Sequence, residues 1–151
     1  MTSPARVHPY RDKDLQGLLA IFRANTPQYF DSAEESDFIE YLEVYGATYF
    51  VAHLNNQLIG GCGYHLEKDV LTGRISWSLI NPSQQGLGVG SLLVNHCLMQ
   101  LKMIERVTKI AVHTSQFGRT FFSKFGFIES QFQKNYWGPG LDLYLMEREA
   151  K

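Results

Sequence analysis

Gln85-Gly86-Leu87-Gly88-Val89-Gly90 sets three glycines at alternate positions between the apolar run Ile75-Ser76-Trp77-Ser78-Leu79-Ile80 and the helix-like run Ser91-Leu92-Leu93-Val94-Asn95-His96-Cys97-Leu98. A strand, a glycine turn and a helix start in that order form an anion site. The missing side chains let backbone N–H groups converge, and the new helix adds the positive end of its dipole. Phosphate is the anion such a site holds. Two phosphate loops of this general kind do not fit. A Walker loop requires Gly-Lys-Ser/Thr, whereas Gly90 is followed by Ser91 and Leu92. A dinucleotide fingerprint requires G-x-G-x-x-G directly after the strand, but Asn81 to Gln85 intervene and the third glycine comes one residue early. A bare G-x-G-x-G also serves simply to turn a strand into a helix.

The segment resembles the acetyl-CoA-binding motif of the GNAT family of N-acetyltransferases, Q/R-x-x-G-x-G/A, through Gln85, Gly88 and Gly90, and the strand ending in Asn81-Pro82 is similar to that family's lead-in. Phe121-Phe122-Ser123-Lys124-Phe125-Gly126-Phe127 resembles its later F-Y-x-K-x-G-F segment. The likeness in element order runs through nearly the whole chain, and specific motif residues occupy about a third of it. The resemblance implies an α/β protein of the GNAT fold, with a mixed central sheet of about six to seven strands flanked by about four helices. It also implies direct transfer of an acetyl group from acetyl-CoA to a primary amine of a small molecule or peptide, with no acyl-enzyme and no metal.

Residue roles follow from the same resemblance. The strand ahead of the loop splays from its neighbour at a bulge and lends its backbone to the pantetheine arm, which assigns Leu79 and Ile80 to the cofactor. The Ile80 N–H would meet the thioester oxygen, where negative charge grows during acyl transfer. Gln85, Gly86, Leu87, Gly88, Val89, Gly90 and Ser91 would cradle the phosphates. Ser115 stands where relatives often carry an asparagine that bonds the pantetheine. Gly118 and Arg119 open the next helix; Arg119 offers charge to a phosphate or else lies solvated at the surface, and Lys124 divides the same way. Phe121, Phe125 and Phe127 read as core.

The amine must lose a proton before it attacks, because a lysine-like amine of pKa about 10.4 is almost wholly charged at neutral pH. Glu67, near the end of a strand that faces the acceptor in relatives, is the leading base, since a partly buried carboxylate has a raised pKa. His65 on the same strand face and His113 near the end of the diverging strand are its rivals. Each of the three also reads as an ordinary polar strand-end residue. Phe122 departs from the family: many relatives carry there a tyrosine that protonates the departing sulfur. A thiol of pKa about 8.5 leaving as thiolate at pH 7 costs about 2 kcal/mol, so the loss slows transfer without forbidding it. Water, Tyr64, Tyr136 or Tyr144 are the substitutes. The other reading of Phe122 is a module that binds acyl-CoA without turnover, and a scaffold whose glycine loop merely turns the chain is a third. Acceptor specificity in the family maps to Thr26–Phe30 and Tyr136–Gly140. Tyr29, Phe30, Tyr136 and Trp137 would line a shaped, partly apolar pocket, or else cover the core or a homodimer contact. Asp31, Glu34 and Glu35 are explained by helix capping and the dipole.

The elements that must position these residues fit one domain spanning residues 1–151. A chain of this size buries roughly 68–70% of its unfolded surface without staples. The net charge of −1 and the lack of any lysine or arginine run argue against nucleic acid and acidic membranes as partners. No apolar stretch reaches the roughly 18–20 residues of a membrane span. Cys62 and Cys97 are the only cysteines and read as small, reduced core residues. With no secretory-type run after Met1, a cytoplasmic location is expected. Val7–Tyr10 reads as a strand. Asp12 would cap a helix through Leu15, Leu18, Leu19 and Phe22 that closes at Pro27, and Ser32 or Ser36 would cap one through Phe38, Ile39, Leu42 and Tyr45 that ends at Gly46. Three sequential strands follow, 48–54, 58–66 and 74–80, as an antiparallel meander. After the glycine loop come a helix to about Met103, a strand 107–114, a helix through Phe125, and strands 127–136 and 141–147.

Overall fold

The computed structural model describes residues 5–151; the expectation of no leader after Met1 falls partly on residues outside that range. In chain order the elements are β1 (Arg6–Pro9), α1 (Leu15–Ala24), α2 (Glu35–Tyr45), β2 (Tyr49–Leu54), β3 (Gln57–Leu66), β4 (Thr72–Ile80), α3 (Val89–Lys102), β5 (Lys109–Thr114), α4 (Gln116–Ser123), β6 (Ile128–Gly138) and β7 (Leu141–Glu149). The strands form one seven-stranded sheet in the order β1-β2-β3-β4-β5-β7-β6. The expected meander β2-β3-β4 is antiparallel throughout, and β4 against β5 is the one parallel pairing among the described residues. Among the described residues this is the mixed sheet with four α-helices that the resemblance implied.

Alternation along the strands sends one set of side chains to each face of the sheet. On one face α3 packs Leu93, Val94, Cys97, Leu98 and Leu101 over Cys62, Ile75, Ile110 and Val112. On the other, α1 and α2 pack Leu18, Phe22 and Phe38 over Tyr49, Val51 and Leu79. Both cysteines are fully buried, as small core residues should be.

The helix starts differ from the expectation. A single 3₁₀ turn precedes each of α1 and α2 and moves the first free N–H groups upstream. Asp14, not Asp12, accepts the Arg11 N–H at 2.9 Å. Asp31, not Ser32 or Ser36, accepts the Ala33 N–H at 2.8 Å, while Glu34 Oε2 accepts the Asp31 N–H at 2.9 Å.

Two features of β4 open a site. It pairs with β5 only from Thr72 to Ile75, after which the two strands part. On its other side the register slips: Gly63 faces Ser76 while Gly61 faces Leu79, so two residues of β3 span three of β4. That extra residue is a bulge. Trp77 sits there with φ +54°, a conformation rarely adopted by a bulky residue. Its surroundings hold it: the Tyr49 hydroxyl donates to the Trp77 carbonyl at 2.8 Å, and its ring lies 4.8 Å from that of Phe38. No helix among the described residues is long and apolar enough to cross a membrane.

Candidate active site

A cavity of about 790 Å³ fills the gap between β4 and β5 and extends from the glycine loop to the α1–α2 segment and the β6–β7 turn. Its end at the glycine loop is built from backbone. Gly86 and Gly88 have φ of +82° and +79°, where a side chain would be strained, and a Cβ on either would enter open space. Gly88 is the N-cap of α3 and offers no capping side chain. The first helical bond there is the Leu92 N–H to the Gly88 carbonyl, at 3.0 Å, which leaves the N–H groups of Val89, Gly90 and Ser91 ahead of it. Gln85, Gly86, Gly88, Val89, Gly90 and Ser91 all line the cavity, whereas Leu87 lies outside the lining and is 60% exposed. Leu87 is therefore not brought to the cradle by its side chain. A Cβ on Gly90 would sit 3.4 Å from Phe121 Cζ, so this third glycine also serves the approach of α3 to α4.

The middle of the cavity is the free edge of β4. The Asn81 N–H bonds the Ile59 carbonyl at 2.7 Å, and Ile80 stands opposite Gly60. In an antiparallel ladder this makes Ile80 and Gly60 a non-hydrogen-bonded pair, with the N–H and C=O of Ile80 directed away from β3. They face the cavity, and the carbonyl accepts from Asn25 Nδ2 at 3.0 Å. Leu79 lies against the α1–α2 core and also borders the space.

Around α4 the expected residues divide. Ser115 is the N-cap of α4, its Oγ accepting the Phe117 N–H at 3.2 Å, and it lines the cavity. Gly118 lines it too, but a Cβ there would overlap Thr114 Oγ1, so close packing of α4 on β5 already requires the glycine. Arg119 turns away: it pairs with Glu129 at 3.0 Å and lies over the Tyr144 ring, outside the lining. Phe122 borders the cavity with a ring that is 4% exposed and packed against Phe121 and Phe127. Of the substitute hydroxyls, Tyr136 lines the cavity, Tyr64 donates to Gln100 Oε1 at 2.9 Å on the α3 side, and Tyr144 lies beneath Arg119.

The end formed by the α1–α2 segment and the β6–β7 turn is aromatic, as its sequence suggested. Phe30 stacks on Phe22 and Trp77, Tyr29 meets Phe117 edge-on at 5.1 Å, and Trp137 Nε1 donates to the Thr114 carbonyl at 3.3 Å. Tyr29, Phe30, Tyr136 and Trp137 all line the space.

Glu34, His65 and His113 line the same cavity. Glu34 is 9% exposed, and burial, reinforced by Asp31 and Asp37, pushes its carboxyl up to about 7 against the opposing hydrogen bond from the Asp31 N–H. Burial, then the neighbouring Arg74 charge, drives His65 down to about 4 and lowers His113. His65 stacks on Tyr45 at 4.4 Å, and neither its Nδ1 nor the Tyr41 hydroxyl has a hydrogen-bond partner. Glu67 is not brought to the cavity. The register that sets His65 opposite Arg74 also places Glu67 beside that arginine, and Arg74 Nε donates to Glu67 Oε1 at 3.1 Å outside the lining.

Asn25, Glu34 and Arg74 line the site without having been expected there. Glu34 carried a signal, since Asp31-x-x-Glu34 has the capping-box spacing that fixes a side chain against a helix start. No group of three or more potential ligands among the described residues could hold a metal. The geometry does fit an acyl-CoA: N–H groups without intrahelical partners at a helix start with glycines beside them, a free strand edge, and a polar end beyond.

A family model described as the acetyltransferase (GNAT) family matches residues 15–127. An N-alpha-acetyltransferase of Sulfolobus acidocaldarius is 27% identical over 151 aligned positions, covering 88% of this chain and 85% of that protein. One from Sulfurisphaera tokodaii is 23% identical, covering 93% and 90%. Among solved structures, Ard1 from Thermoplasma volcanium superposes with a TM-score of 0.82 at 16% identity, covering 97% of this chain and 98% of that one.

Proposed function

The chain belongs to the acetyltransferase (GNAT) family, and we propose that it transfers the acetyl group of acetyl-CoA to a primary amine of a peptide or small molecule. The observation that carries this is one cavity in which the uncapped start of α3, the free Ile80 N–H and the carboxyl of Glu34 all border the same space. The likeness to two N-alpha-acetyltransferases favours an α-amine at a peptide N-terminus as acceptor. A cytoplasmic location goes with this proposal.

Acetyl-CoA supplies an activated acyl thioester. The N–H groups at the start of α3 would bind its phosphates, with the helix dipole adding to the attraction. The edge of β4 at Leu79 and Ile80 would hold its pantetheine arm. The Ile80 N–H serves as a preorganised donor to the thioester oxygen, in a setting partly shielded from water. Glu34 takes the amine proton: a carboxyl near 7 is half ionised at neutral pH, which suits a general base. His113, held neutral by burial, is the second candidate for that proton. Tyr29, Phe30, Tyr136 and Trp137 orient the acceptor.

The test is release of free CoA thiol with a panel of peptides bearing free or blocked α-amines, read together with product mass. Release that requires a free amine supports transfer. Saturable acetyl-CoA binding with no release for any amine supports the binding module instead, which the buried, hydroxyl-free Phe122 would suit.

Phe122→Tyr probes the departing sulfur. A hydroxyl directed to the cavity raises kcat at pH 7 several-fold, and by no more than about 30-fold, because the leaving thiolate costs only about 2 kcal/mol there. The gain fades above a pH of about 8.5, where the thiolate needs no acid. An equal effect at pH 7 and pH 9 would show that the hydroxyl acts through packing instead.

A further inference from the structure

Asn25 ends α1 and is 4% exposed, with every strong hydrogen-bonding group but one engaged. Its Nδ2 donates to the Ile21 carbonyl at 2.8 Å and to the Ile80 carbonyl at 3.0 Å. Its own carbonyl accepts the Tyr29 N–H at 2.8 Å and the Phe30 N–H at 3.2 Å. One residue therefore grips the acceptor segment with its backbone and the cofactor strand with its side chain, across 55 positions of sequence. The grip falls where β4 has lost its neighbour: pairing with β5 stops at Ile75, so no strand steadies the cavity edge of Ile80. Since the N–H and C=O of one strand residue point the same way, fixing the carbonyl also fixes the direction of the N–H beside it.

We propose that Asn25 is a positioning residue, which aims the Ile80 N–H at the acyl group and makes that aim depend on the order of the Tyr29–Phe30 segment. This rests on the role given to Ile80 above. Such coupling suits a two-substrate reaction: an acceptor that orders Tyr29 and Phe30 steadies the donor N–H through Asn25, so the acyl group is polarised best when an amine is in place.

Asn25→Ser separates this role from helix-end stability. A serine hydroxyl can still bond the Ile21 carbonyl four residues back, a habit of serine and threonine in helices, but it is one atom too short to reach Ile80. The probe is acetyl-CoA carrying ¹³C at the acetyl carbonyl, bound to the protein and followed by isotope-edited infrared spectroscopy. In the wild type the carbonyl band should lie below that of free acetyl-CoA. In Asn25→Ser the displacement should fall to less than half, with kcat down about 10- to 100-fold and acetyl-CoA affinity within about threefold, because the phosphate cradle is untouched. Where the serine leaves a void that prevents folding, Asn25→Thr makes the same local bond and fills more of the space. A wild-type band that is displaced, and displaced equally in a folded variant with near-normal kcat, overturns the proposal for Asn25 alone. A lowered melting temperature with the band and kcat unchanged assigns Asn25 to stability and overturns it equally. An undisplaced wild-type band removes the Ile80 donor itself, and the proposal with it.

Discussion

Gly88→Trp is expected to abolish saturable acetyl-CoA binding in calorimetry, weakening it at least 100-fold, while the protein stays folded. Two physical effects act together. The residue adopts φ +79°, where an L side chain costs about 1–2 kcal/mol, and its Cβ would project into the open space of the cavity. The indole would then occupy the volume before the Val89, Gly90 and Ser91 N–H groups and shut the phosphates out. Gly88→Ala separates the two effects, since it carries the same strain with only a methyl group in the cradle. Alanine should lower the melting temperature about as much as tryptophan yet retain measurable binding. Equal loss of binding in both variants would mean that backbone distortion, not blockade, is responsible. Undiminished binding in Gly88→Trp would remove the glycine loop from the cofactor site altogether. Glu34 and Trp137 line the cavity from the α1–α2 segment and β6, elements other than the glycine loop that these variants alter.

How much of this was legible in the sequence depends on the range of the interaction concerned. The strand, glycine turn and helix at one end of the cavity are written in consecutive residues, and there the elements and the lining residues agree with the pattern apart from the Leu87 side chain. The aromatic lining of the cavity was legible as well, because two separated loops each carry a cluster of large rings. The ionisable groups were not. Glu67 and Glu34 are both acidic residues near the ends of elements; what distinguishes them is register and burial. Glu67 meets Arg74 because a hairpin aligns them, and Glu34 is buried because the α1–α2 segment folds down beside Trp77. Arg119 is likewise claimed by Glu129, ten residues on, which no local pattern shows. The bulge at Trp77 has no local signature at all, since nothing in Ser76-Trp77-Ser78 favours a positive φ; β3, Tyr49 and the surrounding rings impose it.

Glu34→Gln is expected to lower kcat by 10²- to 10³-fold while making the fold more stable at neutral and alkaline pH. The amide keeps the Asp31 contact, because its oxygen still accepts that N–H, so the helix start survives. What disappears is a base of suitable strength: in the wild type kcat should rise with pH through about 7 as Glu34 ionises, and in the variant that limb should be gone. The titration of an α-amine acceptor, at about 7.7–8.0, overlaps this limb, but it moves when an acceptor of different amine pKa is used, whereas the Glu34 limb does not. The stability sign follows from the same burial. Folded Glu34 holds its proton to about 7, whereas the unfolded carboxyl releases it near its ordinary 4.5, so between these values the folded state binds more protons and loses stability as pH rises. Above 7 the loss levels off at no more than about 3.5 kcal/mol. Glutamine never ionises, so relative to wild type the variant should gain stability from pH 4.5 to 7 and keep that gain at pH 8, as thermal melts across this range would show. Activity lost while stability is gained is the mark of a carboxylate buried for its chemistry rather than for the fold. If kcat and its pH limb persist in Glu34→Gln and vanish in His113→Ala, the proton passes to the histidine, and burial of Glu34 serves only the start of α2.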